Sequence, residues 1–168
     1  TDEIKCEVTL DVRYLGANVE VLRLDLVKAS QALANKGMKV TSITSADKPL
    51  TYTHENDELK ISLATPSQLN QRSTYVIKYT GTPVTGLKIA NNKYGDRTLF
   101  SDNWPDKGRN WLAMVDHPSD KATSEFIVTA PSHYQVVSNG LKIEETDLVN
   151  GNRITHWKQS VPIASWLY

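Results

Sequence analysis

Residues 6–14 read Cys6-Glu7-Val8-Thr9-Leu10-Asp11-Val12-Arg13-Tyr14. Cys6, Val8, Leu10, Val12 and Tyr14 alternate strictly with Glu7, Thr9, Asp11 and Arg13. Successive side chains leave opposite faces of a strand, so this period of two predicts a β-strand with one face in a core and one in solvent. Gly16-Ala17-Asn18 reads as a turn. Residues 19–26 read as a second strand, with Leu22, Leu24 and Leu26 on one face. Their adjacency predicts that the two form a hairpin.

The same period recurs outward from this stretch. Residues 38–44, 50–54, 59–64 and 73–80 read as strands, and the last is rich in β-branched and aromatic side chains. Asp47-Lys48-Pro49 and Glu55-Asn56-Asp57 carry turn chemistry. Residues 29–36 contain helix formers closed by Gly37, which predicts a short turn of helix. From 81 to about 118 the alternation stops, and Gly, Pro, Asn and Asp crowd around Trp104 and Trp111. A long irregular segment in a compact domain is uncommon and often functional. Strand patterning returns at 124–130, 135–138, 141–145, 153–158 and 164–168. Asn139-Gly140 and Asn150-Gly151-Asn152 are hairpin signals, since these residues tolerate positive φ. Many short strands separated by turns predict an all-β fold, mostly antiparallel, built as a sandwich, barrel or curved sheet over residues 1–168.

Composition narrows the function. The 168 residues hold 19 Lys plus Arg and 19 Asp plus Glu, so the formal net charge is zero. A nucleic-acid or anionic-membrane binder would show clustered basic residues. The single cysteine, Cys6, excludes an internal disulfide and a thiolate zinc cluster. No apolar run approaches the roughly 20 residues that span a bilayer. Residues 161–168 (VPIASWLY) form an apolar, strand-like run with no terminating signal. The sequence reads as a piece of a longer protein.

No self-contained active site stands out. His54, His117, His133 and His156 include no pair at i, i+4 spacing, so no HExxH zinc helix is present. Cys6 falls on the apolar face of its strand, where a free thiol behaves as a small hydrophobe. There is no GxSxG elbow, and the eight glycines form neither GxGxxG nor a P-loop. Asp102, Asp106, Asp116 and Asp120 gather with Lys107, Arg109 and Lys121 between residues 100 and 121. Carboxylates there suit acid–base work or, more commonly, turn capping and local ion pairs. Trp104 and Trp111 suit a stacking platform or a plug at the end of a sandwich, and spacing does not choose between them.

That segment also carries a resemblance. Asn103-Trp104-Pro105, Arg109, Asp116-His117-Pro118 and Asp120-Lys121-Ala122-Thr123 follow one another in order. Val136-Val137-Ser138-Asn139-Gly140, Thr155-His156-Trp157 and Pro162-Ile163-Ala164-Ser165 come downstream. The order resembles the N-terminal domain of zinc aminopeptidases of the aminopeptidase N and leukotriene hydrolase family. In that family an R…D-x-P-x-x-K-A run precedes a strand, then V-x-S-N-G, then a W…P-[MI]-[AS]-[ST]-Y-L run. Leu24-Asp25-Leu26, Asp47-Lys48-Pro49-Leu50 and Tyr79-Thr80-Gly81 fit the family's order of strands, so the resemblance spans essentially the whole chain.

The resemblance implies a large, curved, mostly antiparallel β domain, the saddle, packed on a thermolysin-like catalytic domain of the same protein. It implies no catalytic residue and no cofactor in this chain; zinc and its HExxH helix would belong to the C-terminal catalytic domain. It implies a peptide N-terminus as substrate, with no nucleic acid and no membrane span, and a periplasmic or secreted protein. Where the family carries Gln-x-Gln/Glu reaching the substrate amine, this chain has Asp102, Asn103 and Trp104, the expected substrate-binding residues. Asp102 keeps a shorter acceptor; Trp104 offers an aromatic wall and no carboxylate. Arg109 and Asp116 are expected to pair and shape the loop, with Pro118 fixing the turn after it. Two other readings compete: a free-standing β-sandwich binding module using Trp104 and Trp111, and a family member with altered chemistry.

Overall fold

The computed structural model describes residues 2–168. The fold is all-β. The first half contributes β1 (Ile4–Arg13), β2 (Val21–Asp25), β3 (Gly37–Ser45), β4 (Lys48–Pro49), β5 (Tyr52–Glu55), β6 (Glu58–Ser62) and β7 (Arg72–Thr82). The second contributes β8 (Leu87–Asn91), β9 (Arg97–Ser101), β10 (Ala122–Pro131), β11 (Leu141–Asp147) and β12 (Asn152–Ile163). Their antiparallel ladders make a four-stranded sheet β1-β7-β3-β4, a three-stranded sheet β2-β6-β5, the hairpin β8-β9 and a three-stranded sheet β10-β12-β11.

The first stretch forms the predicted strand, and its alternation is visible as alternating half-buried and exposed residues. The predicted hairpin with the next strand does not form. β1 pairs along its whole length with β7, from Ile4 opposite Gly81 to Arg13 opposite Arg72. β2 pairs instead with β6, Leu24 opposite Leu59. Between them the chain crosses from one sheet to the other, held by Tyr14 N–H to the Gln71 carbonyl (2.9 Å) and Asn18 N–H to the Ser67 carbonyl (2.7 Å). Periodicity specifies which face a residue occupies, and it is silent on which strand lies alongside.

The β1-β7-β3-β4 and β2-β6-β5 sheets share one core. Leu22, Leu24 and Leu59, Ile61 from one meet Met38, Ile43, Tyr75, Ile77 and Tyr79 from the other. Trp111 and Ala113 belong to the same cluster. The third sheet joins through Phe126, whose ring lies 6.2 Å from that of Trp111. The Tyr14 and Tyr75 hydroxyls are bonded to each other at 2.7 Å, and Tyr79 donates to the Trp111 carbonyl at 2.9 Å, so the buried phenols are paired.

The turn read at Glu55-Asn56-Asp57 closes a tight hairpin; the one read at Asp47-Lys48-Pro49 falls earlier, because Lys48-Pro49 forms β4. Ala46-Asp47 joins β3 to β4 and Asn56-Asp57 joins β5 to β6, all four at positive φ. This is the twist-matched geometry of a two-residue hairpin. The expected helical turn is a single 3-10 turn, Gln31–Leu33.

Four expectations are corrected in the second half. The segment read as irregular contains the β8-β9 hairpin, whose short strands expose most of their side chains and so show little alternation. Residues 135–138 form no strand; they cross over β12, where Trp157 Nε1 donates to the Val136 carbonyl at 3.1 Å. Asn139-Gly140 therefore turns no hairpin and instead leads into β11. Residues 164–168 end in a 3-10 turn, Ser165–Leu167, after the strand stops at Ile163. Asn150-Gly151 does join β11 to β12.

Candidate functional site

The expected site residues follow β9. Asp102 is bonded through its N–H to the Gly86 carbonyl at 2.6 Å, which carries the β8-β9 ladder one residue further. Its Oδ2 receives Lys107 Nζ at 3.0 Å and lies 3.4 Å from Lys88 Nζ. Lys107, and behind it Lys88, hold the Asp102 carboxyl below the usual aspartate range. Lys88 also stands over the Phe100 ring, 5.2 Å from its centroid.

Asn103 is buried, and its amide is used at both ends. Oδ1 accepts from Trp111 Nε1 at 2.9 Å, and Nδ2 donates to the Tyr168 carbonyl at 2.6 Å. Its own carbonyl accepts from Lys107 N–H at 2.9 Å, closing the turn. Trp104, one residue on, is 65% exposed. The loop thus buries an asparagine and presents a tryptophan. Trp111 is buried, so the two indoles do not make a common platform.

Beyond the turn lies a short 3-10 element, Gly108–Asn110. Arg109 and Asp116 meet here: Asp116 Oδ2 accepts from Arg109 N–H at 3.0 Å and lies 3.3 Å from Arg109 Nε. Asp25, in β2, joins them. Its Oδ1 is 3.4 Å from Arg109 Nη1, and its Oδ2 accepts from Asp116 N–H at 2.9 Å. The Asp116 side chain is fully buried, and its Oδ1 has no partner. Pro118 occupies the second position of a turn closed by Asp120 N–H to the His117 carbonyl at 3.0 Å, where proline's fixed φ fits.

Sequence reasoning did not reach Asp25 or Lys88. Asp25 is 84 residues before Arg109 and 91 before Asp116, and only the fold brings them together. The remaining titratable groups lie elsewhere. His54 is buried with Nε2 2.7 Å from the Leu26 carbonyl, and His156 lies 3.0 Å from Glu125 on the third sheet. Burial pushes the Cys6 thiol up, outweighing an opposing interaction with Tyr79, which makes it a poor nucleophile. Among the described residues, no three His, Cys, Asp or Glu side chains are arranged to hold a metal ion.

Known structures share this architecture. An M1 zinc metallopeptidase from Deinococcus radiodurans superposes with a TM-score of 0.83 at 23% identity, over 98% of this chain and 36% of that one. A mutant of that metallopeptidase bound to a Tyr-Ser-Ala substrate gives 0.81 at 22% identity, over 98% and 36%. A two-domain M1 zinc metallopeptidase mutant bound to L-tryptophan gives 0.83 at 23% identity, over 99% and 37%. At these identities the likeness is one of fold, and the chain spans a little over a third of each solved structure's length. No curated protein matches the sequence. The family model described as the peptidase M1 N-terminal domain matches residues 2–167. The chain therefore belongs to the peptidase M1 N-terminal domain family.

Proposed function

We propose that this is the non-catalytic, substrate-facing N-terminal domain of a zinc-dependent aminopeptidase. It packs against a catalytic domain of the same protein, and its Trp104 loop lines the pocket for the substrate's first residue. The observation that carries the reading is an exposed Trp104 held on a pinned loop, in a chain whose family match runs from residue 2 to 167.

A peptide N-terminus presents an ammonium group and one side chain. Trp104 offers an aromatic face to either, through apolar contact or cation–π attraction. Asp102 offers a carboxylate two residues before Trp104, but Lys107 and Lys88 already occupy its Oδ2. A substrate ammonium would share that oxygen or take Oδ1. Asn103 does not reach outward; it fixes the turn that presents Trp104. Zinc would be held in the catalytic domain, where it would supply an activated water for attack on the first peptide bond. This chain's part is to bind and orient the substrate.

The test is an assay of the full-length protein on amino-acid anilides, with and without a chelator. Expected are chelator-sensitive release of the first residue and, for Trp104→Ala, a KM raised about tenfold, the scale of a lost buried aromatic contact. The absence of any chelator-sensitive release overturns the reading, as does a downstream sequence without an HExxH helix.

A further inference from the structure

Asp25 grips the Trp104 loop from across the core. The loop leaves β9 at Ser101 and returns to β10 at Ala122, so Trp104 is carried on some twenty residues without long secondary structure. One anchor is the Asn103–Trp111 bond. Tyr168 and Tyr79 also hold Asn103 and Trp111, and a further set converges on the end of β2. Asp25 N–H donates to the Met114 carbonyl at 2.7 Å, and Met114 N–H returns the bond at 3.3 Å. Val27 N–H donates to the Arg109 carbonyl at 2.8 Å. The Asp25 carboxylate adds two holds, Oδ1 on Arg109 and Oδ2 on the Asp116 amide.

This is an expensive way to hold a loop. Asp116 buries a full carboxylate with one oxygen unpartnered, and apolar packing commonly stabilises as well or better than buried charge. What the charged cluster supplies is geometry: two points of the loop, seven residues apart in sequence, are fixed to one carboxylate of the rigid sheet, that of Asp25.

We propose that Asp25 is a positioning residue for the first substrate pocket, setting where Trp104 stands by fixing Arg109 and Asp116. This rests on the reading of the Trp104 loop as substrate-facing.

The experiment is a mutant cycle in the full-length protein: Asp25→Ala, Asp25→Asn, Trp104→Ala and the double variants. Asp25→Ala is expected to raise KM for anilides of bulky first residues about tenfold, as displaced binding groups do. Its kcat is expected to stay within about twofold, because the reacting atoms are untouched. Asp25→Asn keeps an acceptor for the Asp116 amide and falls between. In the Trp104→Ala background the Asp25 penalty disappears, because both changes act on one contact. If Asp25→Ala does not fold, Asp25→Asn and Arg109→Lys carry the same cycle. Additive penalties, or a lowered melting temperature with KM unchanged, overturn the proposal and leave the cluster a structural brace. A protein without peptidase activity refutes the functional reading while leaving this one testable. Iodide quenching of Trp104, isolated by difference from Trp104→Phe, should change in Asp25→Asn, and an unchanged value overturns the positioning role.

Discussion

The two oxygens of Asp116 differ: Oδ2 accepts twice from Arg109, while Oδ1 is buried and unpaired. Removing the carboxylate leaves the Arg109 N–H without a partner and a guanidinium with one carboxylate fewer. Asp116→Ala should therefore cost about 2 kcal/mol in a urea titration. Asp116→Asn keeps an acceptor in the same place and should cost about half of that. Equal losses would mean that the charge, and not the hydrogen bonds, dominates. Trp104→Ala is the contrasting case. The indole is largely in water, so stability should move by no more than about 0.5 kcal/mol, and any loss of binding can be assigned to the pocket. At this scale the sequence was partly legible. Arg109 and Asp116 are seven apart and of opposite charge, close enough to pair through a loop. Asn103 looked like a binding residue because its neighbours do; its burial depends on Trp111 and Tyr168, which only the fold delivers.

Among the elements, turns were more legible than pairings. Asn56-Asp57 announces itself by residue type, because positive φ is a local property, whereas the turn read at Asp47-Lys48-Pro49 is made by Ala46-Asp47. Ala46 is the poorly suited member, exposed at φ 47°. Ala46→Asn should stabilise by about 0.5 kcal/mol, since asparagine tolerates that conformation better; a lower urea midpoint would count against the turn assignment. Strand partners were not legible, because the choice of β7 for β1 is made by the shared core and not by neighbours in sequence. Asn139-Gly140 shows the same limit. Its glycine is needed, at φ 89°, but as a close approach to another strand: a Cβ there would lie 2.0 Å from the Lys158 carbonyl oxygen. Gly151, at φ 78°, has nothing within 4 Å of its Cβ position. Gly140→Ala should thus cost about 3 kcal/mol, through strain plus displaced β12, and Gly151→Ala only about 1 kcal/mol, from backbone strain alone. Equal costs in thermal unfolding would show that β12 yields freely at Lys158.

For the molecule as a whole, charge is balanced but its titration is not symmetrical. On the acid side Asp2, Glu55, Glu58, Asp102, Glu125 and Asp147 are all held below their ordinary values. The leading cause in each is a hydrogen bond from a cation: Arg97, Lys28, Lys60, Lys107, Lys158 and Arg153 respectively. A depressed folded value means that the unfolded chain takes up the proton first. The stability from these pairs is present above ~4 and lost as pH falls through the folded values. These pairs lie at the surface, so their contribution is small and screened by salt. On the alkaline side burial raises Tyr79 and Tyr14, the latter also through its bond to Tyr75. Here the unfolded chain loses its protons first, near ~10, so stability is full below that pH and falls as pH rises above it. Tyr79 is 2% exposed and donates into the core at Trp111. Its ionisation therefore requires opening the core shared by the β1-β7-β3-β4 and β2-β6-β5 sheets, and salt cannot soften a desolvation cost. The urea midpoint should be flat from about pH 5 to 8, decline gently and salt-dependently in acid, and drop more steeply, without salt dependence, above about pH 10. Tyr79→Phe should lose about 2 kcal/mol at neutral pH, because it removes both the bond to the Trp111 carbonyl and the acceptor of the Ala113 N–H, and in return flatten the alkaline limb. An alkaline limb that is no steeper than the acid one, or that survives Tyr79→Phe unchanged, would show that the phenols are not what joins the sheets to pH.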